Sequence, residues 1–385
     1  MSTKVLSVFG TRPEAIKMAP VVKALERAAG IESRVCVTAQ HREMLDQVLG
    51  LFDIEPDHDL DVMVPGQDLF DVTSKVLVGM RDVLRDEQPD VVLVHGDTTT
   101  CFASGLAAFY EGVTLGHVEA GLRTGDLTRP FPEEMNRRLV TQFTTHHFAP
   151  TDRARRNLLA EGVDAADVRV TGNTVIDALR LVRDRVEGCD AATYVDALGS
   201  DLCMRLDRGR GKVVLVTGHR RENFGRGFED LCRGLRIAAQ RHAGWNFIYP
   251  VHMNPNVRRP VFEHLADLDN VHLIEPLDYE PFVWAMLRSD LILTDSGGIQ
   301  EEAPSLGKPV LVTRDVTERP EAVAAGTVRL VGTDPERILT GIESVLLDPA
   351  VYADMTGAAN PYGDGMASER IVNALIPDAS ISDAA

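Results

Sequence analysis

The chain has 385 residues, of which 44% are hydrophobic and 25% charged, an ordinary globular composition that is long enough for two domains. Its formal net charge of -18 disfavours nucleic acid and membrane surfaces as partners, and an anionic substrate would need a locally basic site. Five scattered cysteines without C-x-x-C spacing, no apolar leader and no run that could span a bilayer predict a cytoplasmic protein without disulfides or a zinc site.

Short apolar runs alternate with amphipathic stretches along the whole sequence. In the first half we predict helices over 15–28, 43–51, 69–86 and 101–110, between strands at Val5–Phe9, Ser33–Val37, Val91–His95, Leu115–Val118 and His146–Phe148. In the second half the predicted strands are Val213–Val216, Asn246–Tyr249, Val271–Ile274, Leu291–Thr294 and Val310–Val312. This alternation predicts βαβ units with parallel sheets, and the two series predict two doubly wound α/β domains.

The boundary between the domains is predicted from composition. Residues 187–210 are polar and include Gly199 and Gly209, so we expect an irregular segment there. We place the junction from about Gly172 onward. This gives an N-terminal Rossmann-like domain over 1–175 and a C-terminal Rossmann-like domain over 176–362.

The polar loops that follow predicted strands are the candidate sites, because ligands of open α/β sheets bind beyond the carboxyl ends of the strands. Six such loops come from both halves and predict one site in a cleft between the domains. They are residues 10–14, 96–100, 119–121, 218–223, 252–255 and 295–298.

The turn Ser296-Gly297-Gly298 follows a predicted strand and opens a helix. Glycines let backbone N–H groups approach an anion, and a helix start adds a positive dipole end, so this turn is a candidate phosphate site. The same sequence also fits an ordinary helix start that is capped by Asp295 or Ser296.

Charged residues near this turn and near the first strand have two interpretations each. Glu302 fits a first-turn acid or an acceptor for a ribose diol, and Arg319 fits a phosphate contact or a surface salt bridge. Arg12 and Lys17 fit substrate contacts or solvated charges. His219 precedes two arginines and fits a group that binds or protonates a leaving phosphate, although a lone histidine is more often structural.

Three carboxylates stand in matching loops of the first half, at Asp97, Glu119 and Glu133. Asp97 alone fits a helix cap, and Glu133 alone fits a first-turn acid. Three carboxylates at strand ends, facing a basic second domain, indicate acid/base chemistry.

The cofactor motifs of common enzymes are missing from the sequence. No G-x-G-x-x-G follows a predicted strand, and no Walker loop, metal-ligand cluster or G-x-S-x-G is visible. We therefore expect chemistry without NAD, PLP or a required metal, that is, without a cofactor.

Six segments resemble the bacterial non-hydrolysing UDP-N-acetylglucosamine 2-epimerase family: 9–17, 38–49, 95–100, 116–126, 219–225 and 295–310. The resemblance covers nearly the whole chain, through Gly365. It implies the GT-B fold, with two Rossmann-like domains, a cleft between them and a last helix, about 363–377, that joins the N-terminal domain. It also implies a homodimer that converts UDP-N-acetylglucosamine to UDP-N-acetylmannosamine and feeds cell-surface polysaccharide synthesis.

The resemblance also assigns roles to single residues. The matched catalytic positions are Asp97, Glu119, Glu133 and His219. The matched substrate-binding positions are Arg12, Lys17, Phe282, Ser296, Gly297, Gly298, Glu302 and Arg319. Leu277 stands where some relatives have Gln, which implies a backbone or weaker contact with uracil.

Some relatives bind a second UDP-N-acetylglucosamine as an activator. The matched regulatory positions are Gln40, Arg220, Glu222 and His252. Glu43 and Gly66 stand where those relatives have Gln and Arg, which argues against direct allosteric contact in this chain.

The implied reaction inverts C2 of the sugar, which has no adjacent carbonyl. Elimination of UDP across C1–C2 to an acetamido-glycal, followed by re-addition, is the route that needs no NAD. It requires acid/base groups at C2, stabilisation of UDP by His219, Arg12 and the glycine turn, and a closed site. The alternatives are a hydrolysing epimerase, an epimerase for a modified UDP-2-acetamido sugar, a GT-B glycosyltransferase and a catalytically silent sugar-nucleotide sensor.

Overall fold

Two parallel β-sheets organise the computed structural model, which describes residues 2–39, 42–64, 66–207 and 211–376. The chain divides into two units. The first holds the residues up to Ala178 and those from Tyr362 onward, and the second holds Leu179–Pro361. No helix in the described ranges is long and apolar enough to cross a membrane.

The first unit is built on a seven-stranded sheet. Its strands are β1 (Thr3–Phe9), β2 (Ile31–Val37), β3 (His58–Asp59), β4 (Val91–His95), β5 (Thr114–Val118), β6 (His146–Ala149) and β7 (Val168–Val170). Their order across the sheet is β3-β2-β1-β4-β5-β6-β7. The helices are α1 (Arg12–Arg27), α2 (Arg42–Leu51), α3 (Leu69–Glu87), α4 (Thr99–Tyr110), α5 (Glu133–Thr141), α6 (Asp152–Ala160) and α7 (Thr174–Val186), and α7 continues into the second unit.

The second unit is built on a six-stranded sheet. Its strands are β8 (Val213–Thr217), β9 (Asn246–Pro250), β10 (Val271–Ile274), β11 (Leu291–Thr294), β12 (Val310–Val312) and β13 (Val328–Leu330), in the order β10-β9-β8-β11-β12-β13. Its helices are α8 (Val195–Leu198), α9 (Ser200–Asp207), α10 (Arg226–Arg241), α11 (Pro255–Leu265), α12 (Tyr279–Arg288), α13 (Gly297–Glu302), α14 (Pro320–Ala325), α15 (Pro335–Leu347) and α16 (Pro349–Gly357).

The last helix, α17 (Ala367–Leu375), belongs to the first unit and packs against α1. The carboxylate of Asp177 in α7 accepts hydrogen bonds from the backbone N–H groups of Ala367 (3.2 Å) and Ser368 (2.7 Å). A buried carboxylate therefore satisfies the free N–H groups at the start of α17.

Local sequence explains how the helix next to β1 begins. The Glu14 carboxylate accepts hydrogen bonds from the backbone N–H groups of Gly10 (3.0 Å) and Thr11 (2.8 Å), and Pro13 lies in the first turn. This capping box starts α1 immediately after β1, so the loop between them is short. Leu6 and Val8 of β1 and Val92 of β4 are fully buried in the core of the unit.

In both sheets the strand order reverses next to the first strand of the unit, between β1 and β4 and between β8 and β11. Ligands of doubly wound sheets bind at such a reversal. The loops that end there are 10–11 and 96–98 in the first unit, and 218–223 and 295–296 in the second. Four of the six candidate loops therefore lie at these two positions.

The predicted α/β class with parallel sheets is confirmed, and the ten predicted strands are present with ends within two residues of those expected. The three strands that were not predicted, β3, β7 and β13, have two or three residues and lie at sheet edges. Such short segments carry no readable periodicity.

The irregular segment expected over 187–210 is a wrong prediction, because α8 and α9 lie there. Ala191, Tyr194, Leu198 and Leu202 are buried, at intervals of three and four residues. These side chains come from the 3-10 turn Ala191–Tyr194 and from α8 and α9, and their burial outweighs the polar composition of the segment.

Candidate functional site

Two carboxylates of the first unit, Asp97 after β4 and Glu119 after β5, each form an ion pair with a basic side chain. We call Lys17, His95, Asp97, Glu119, Glu133 and Arg137 the carboxylate site. Glu119 accepts from Lys17 Nζ and, at 3.1 Å, from Asn173 Nδ2. Its backbone has a φ of +65°, which non-glycine residues rarely adopt, so the fold holds this carboxylate at a local cost.

His95 is a buried neighbour of Glu119, with 3.9 Å between its Nε2 and Glu119 Oε1. Burial lowers the pKa of His95 to about 4, so the imidazole is neutral at neutral pH. Neither ring nitrogen has a hydrogen-bond partner within the described ranges. A neutral, unpaired imidazole therefore borders the carboxylates.

The Asp97 carboxylate forms an ion pair with Arg137. Burial raises the pKa of the Asp97 carboxyl and the charge of Glu119 adds to this, whereas Arg137 and Lys17 oppose it. The cap of α4 is Thr98, whose hydroxyl accepts from Cys101 N–H at 3.1 Å. The interpretation of Asp97 as a helix cap is therefore wrong, and its carboxyl has the raised pKa that suits a proton carrier.

Glu133 and Arg137 stand one turn apart on α5. Glu133 Oε2 is buried and has no hydrogen-bond partner among the residues described. Arg137 Nη1 also lies 3.3 Å from the fully buried Glu134, which accepts from the backbone N–H groups of Thr124 (3.0 Å) and Gly125 (3.2 Å). Glu134 thus fixes the preceding loop, and the substrate role of Glu133 stays a prediction.

The turn Ser296-Gly297-Gly298, which we call the phosphate turn, lies next to two guanidinium groups. A Cβ placed on Gly297 would be 3.7 Å from Arg220 Nη2 and 3.9 Å from Arg319 Cζ. Arg319 Nε pairs with the carboxylate of Glu301, whose side chain is only 3% exposed. The surface salt bridge considered for Arg319 is therefore wrong, because the pair is largely buried. We call His219, Arg220, Asp295, Ser296, Gly297, Gly298 and Arg319 the phosphate site.

Asp295 does not cap α13. One of its oxygens, Oδ2, accepts from the backbone N–H groups of His219 (2.9 Å) and Arg220 (2.8 Å), and the other lies 3.4 Å from His219 Nδ1. The Ser296 side chain makes no cap hydrogen bond either. The interpretation of this turn as an ordinary helix start capped by either residue is therefore wrong.

The remaining predicted substrate contacts lie around α12 and α13, except for Arg12 in the first unit. Glu302 is buried and accepts from the Tyr279 hydroxyl at 2.6 Å, so it is not an exposed first-turn acid. Glu302 Oε2 is 3.8 Å from the point where a Cβ on Gly298 would lie. Phe282 is partly buried on α12, and Leu277 is partly buried in the loop before it. Arg12, also partly exposed, is the first residue of α1.

Three of the four predicted regulatory residues, Arg220, Glu222 and His252, lie in the second unit. His252 stacks on His219, with ring centroids 5.7 Å apart, and Arg220 belongs to the phosphate site. Glu222 accepts from Arg314 Nε at 2.5 Å. Gln40 lies outside the described residues. The regulatory role of these four residues stays a prediction.

One further group of possible metal ligands lies elsewhere in the first unit, at His58, Asp86 and Glu87. Lys4 Nζ lies 3.3 Å from Glu87 Oε2, and His58 Nε2 lies 2.7 Å from Glu87 Oε1. Because a cation and an imidazole already occupy Glu87, we interpret this group as an ion-pair network.

The family model for UDP-N-acetylglucosamine 2-epimerase matches residues 23–376. The chain belongs to the UDP-N-acetylglucosamine 2-epimerase family. It is 59% identical to a probable UDP-N-acetylglucosamine 2-epimerase of Ralstonia nicotianae, over 97% of this chain and 98% of the relative. It is 58% identical to the UDP-N-acetylglucosamine 2-epimerase of Escherichia coli, over 97% and 98% of the two chains. The crystal structure of the Neisseria meningitidis enzyme bound to UDP-GlcNAc is 51% identical, with a TM-score of 0.86 over 97% of this chain and 99% of that one.

These similarities confirm the family resemblance and the fold class, two Rossmann-like doubly wound domains of GT-B type. They also confirm that the chain belongs to a family of enzymes. Membership of this family argues against the alternative of a catalytically silent sugar-nucleotide sensor.

Sequence reasoning missed the residues that hold the site side chains in place. These are His95, Arg137, Asn173, Tyr279 and Asp295. Two of them could have been found from their positions in the sequence. Arg137 is one helical turn after Glu133, and Asp295 directly precedes the phosphate turn. Asn173 and Tyr279 are paired only by the tertiary fold.

Proposed function

We propose that the protein interconverts UDP-N-acetylglucosamine and UDP-N-acetylmannosamine by elimination and re-addition of UDP. The observation that carries the proposal is the grouping of Lys17 and His95 around Glu119 at ion-pair distances, with Asp97 in the electrostatic field of Glu119 and Lys17, in a chain of the epimerase family. Carboxylates grouped with a cation and a neutral imidazole suit repeated proton transfer at neutral pH.

The second unit binds the UDP moiety in this proposal. Two guanidinium groups and the glycine turn neutralise the diphosphate, which is an anion that the chain with its net charge of -18 would otherwise repel. Glu302, oriented by Tyr279, accepts from the ribose hydroxyls, and Phe282 and Leu277 border the uracil. Support for the ligand comes from the Neisseria meningitidis relative, which was crystallised with UDP-GlcNAc.

The carboxylate site exchanges the proton at C2. In the forward step the C2–H proton moves to a carboxylate and the C1–O bond breaks, so the electron pair of that bond leaves with UDP and a C1–C2 double bond remains. In the return step UDP attacks C1 and a proton is added to C2 from the opposite face. Inversion needs proton transfer on both faces, so Asp97, Glu119 and Glu133 together supply the acid/base groups. Arg12 and Lys17 add positive charge on this side.

The decisive experiment is turnover of UDP-N-acetylglucosamine in heavy water, followed by NMR. We expect deuterium at C2 of both epimers, with UDP still attached. Epimerisation without exchange would exclude elimination, and free N-acetylmannosamine as the main product would favour a hydrolysing enzyme. Omitting the protein gives the background exchange.

Replacing Gly297 with alanine is expected to weaken UDP binding about 10- to 100-fold, because a methyl group would fill the space between the two guanidinium groups. The contacts of 3.7 and 3.9 Å are ordinary van der Waals distances, so the free energy of unfolding should stay unchanged. Isothermal titration calorimetry with UDP measures the affinity.

Gly244→Ala is the matched control, because a Cβ at Gly244 would meet nothing within 4 Å. Equal UDP affinity in the Gly297→Ala variant and the wild type would show that the diphosphate binds elsewhere.

We propose that the protein is a homodimer whose contact surface includes α3 and α4, which pack side by side. These two helices expose Leu69, Phe70, Val78, Phe109 and Tyr110, and the Phe70 side chain is 85% exposed. Leu69 and Phe70 lie at the start of α3 and Phe109 and Tyr110 at the end of α4, and large exposed apolar side chains of this kind suit burial against a second copy of the chain. Phe70→Asp is expected to convert the dimer to a monomer in sedimentation velocity, whereas Val316→Asp, on an exposed apolar residue of the other unit, should not. A monomeric wild type would exclude the proposal.

We also propose a cytoplasmic location, supported by the free thiols of Cys36, Cys101, Cys203 and Cys232 in the buried parts of both units. Cell fractionation tests it, and recovery of the protein outside the cytoplasm would contradict it.

A further inference from the structure

Asp295 is a fully buried carboxylate at the end of β11, between the sheet and the phosphate turn. Its Oδ2 accepts two backbone hydrogen bonds, from His219 at 2.9 Å and Arg220 at 2.8 Å. These bonds fix the orientation of the carboxylate. Burying a carboxylate costs free energy unless both of its oxygens accept hydrogen bonds or face a positive charge. The second oxygen of Asp295 therefore needs a partner.

The second oxygen, Oδ1, faces the His219 imidazole. It lies 3.4 Å from Nδ1 at ion-pair distance, and no group described in the structure forms a hydrogen bond of good geometry with it. The imidazole is 42% exposed, so its other edge is open to a ligand.

Three charged or titratable groups face His219, each from a different loop or turn position. Arg220 follows it in the chain, His252 stacks on it from the loop after β9, and Asp295 faces it from the end of β11. Burial, Arg220 and His252 lower the pKa of His219, whereas Asp295 raises it. The buried Tyr249 hydroxyl lies in the field of the same carboxylate. Asp295 is therefore the group among these that favours the protonated imidazole.

We propose that Asp295 is a positioning residue that binds His219 Nδ1–H, so that Nε2 faces the departing diphosphate and His219 takes up a proton from solvent when the diphosphate binds. This inference rests on the proposed function, since it assigns the geometry of the group that meets UDP. No covalent bond of the protein is made or broken. The imidazolium donates Nδ1–H to Asp295 and Nε2–H to a phosphate oxygen, which stabilises UDP while it is separated from the sugar.

The test is side-chain ¹⁵N NMR of histidine-labelled protein, with the His219 signals assigned from a His219→Gln sample. In the ligand-free wild type we expect Nδ1 to carry the proton. On addition of UDP-N-acetylglucosamine both nitrogens should become protonated. A ligand-free His219 with the proton on Nε2 would overturn the inference without any variant.

Asp295→Asn keeps the size of the side chain and an oxygen for the two backbone N–H groups. Its amide NH₂ would face Nδ1, which moves the imidazole proton to Nε2 and removes the charge that favours protonation. We expect the tautomer to switch and kcat to fall about 100-fold or more. Asp290→Asn is the matched control, because Asp290 accepts a backbone hydrogen bond from Val213 at the opposite end of β11.

Unchanged kcat and an unchanged His219 tautomer in folded Asp295→Asn would overturn the inference. The two proposals fail in different ways. A wild type that does not epimerise UDP-N-acetylglucosamine would remove the proposed function, while the His219 tautomer of the ligand-free protein would still decide the role of Asp295.

Discussion

Replacing Asp97 with asparagine is expected to lower kcat about 10²- to 10⁴-fold and to leave the affinity for UDP unchanged. Asparagine keeps the shape and can still accept from Arg137, but it cannot carry the proton. Asp97 belongs to the first unit, and the phosphate site lies in the second, so UDP binding should not sense the change. Steady-state kinetics and calorimetry with UDP measure the two quantities.

Asp164→Asn provides the control, because Asp164 caps a short 3-10 turn of the same unit and asparagine caps equally well. Equal losses of kcat and UDP affinity in Asp97→Asn would mean that the residue is structural.

The pH profile of kcat gives a second test of the role of Asp97. A base must be ionised, so kcat should fall as the pH drops through the raised pKa of Asp97.

The first unit is expected to lose stability steeply on acidification below about pH 6.5, because it buries three neutral histidines. Burial lowers the pKa of His95 to about 4, of His117 to about 3 and of His147 to about 4. Each is depressed in the folded state, so its stabilising contribution is complete above the unfolded pKa of about 6.5 and is lost as the pH falls toward the folded value.

Together the three groups give a slope of about 4 kcal/mol per pH unit between pH 6 and 5, at about 1.4 kcal/mol for each proton. A fall of this size over one or two pH units is comparable to the whole stability of a domain. The carboxyls of Glu14, Asp97 and Asp177, whose pKa is raised by burial, act in the opposite direction at the acid end. The loss of stability per pH unit should therefore be steepest between about pH 6 and 5.

Two spectroscopic signals separate the units. Both tryptophans, Trp245 and Trp284, belong to the second unit, whereas far-UV circular dichroism reports both. On acidification the circular dichroism should change before the tryptophan fluorescence. His117→Gln keeps a donor for the Gly96 carbonyl, which accepts from His117 Nε2 at 2.7 Å, but it cannot titrate. This variant should reduce the slope by about 1.4 kcal/mol per pH unit, and an unchanged slope would contradict the assignment.

Long apolar strands and strand-end loops were readable from the sequence because their signals are local. Val91–His95 is a continuous apolar run before a polar loop, and the structure has this strand with the same ends. The edge strand His58–Asp59 has two residues and is defined only by its pairing with Cys36 and Val37. No property of those two residues alone distinguishes them from a loop.

In the candidate site, too, some residues were predictable from the sequence and their partners were not. Single side chains such as Asp97 and Glu119 could be chosen from their positions after apolar strands. Their partners could not, since Arg137 is 40 residues from Asp97 and Asn173 is 54 residues from Glu119. The helix-cap interpretation of Asp295 also failed for this reason, because its hydrogen-bond donors lie 75 and 76 residues earlier in the chain. Such pairs are created by the sheet topology.

The hydrogen bonds between Asp177 and the start of α17 affect the order in which the two units can finish folding during synthesis. The two N–H groups that this carboxylate accepts come from residues 190 and 191 positions later. A nascent chain leaving the ribosome therefore has every residue of the second unit before the first unit has its final helix. Domains usually complete their folding from the N-terminus onward during synthesis, and here the first-made unit is the last to be finished. Until α17 has been synthesised, the surface of α1 that it covers lacks this partner.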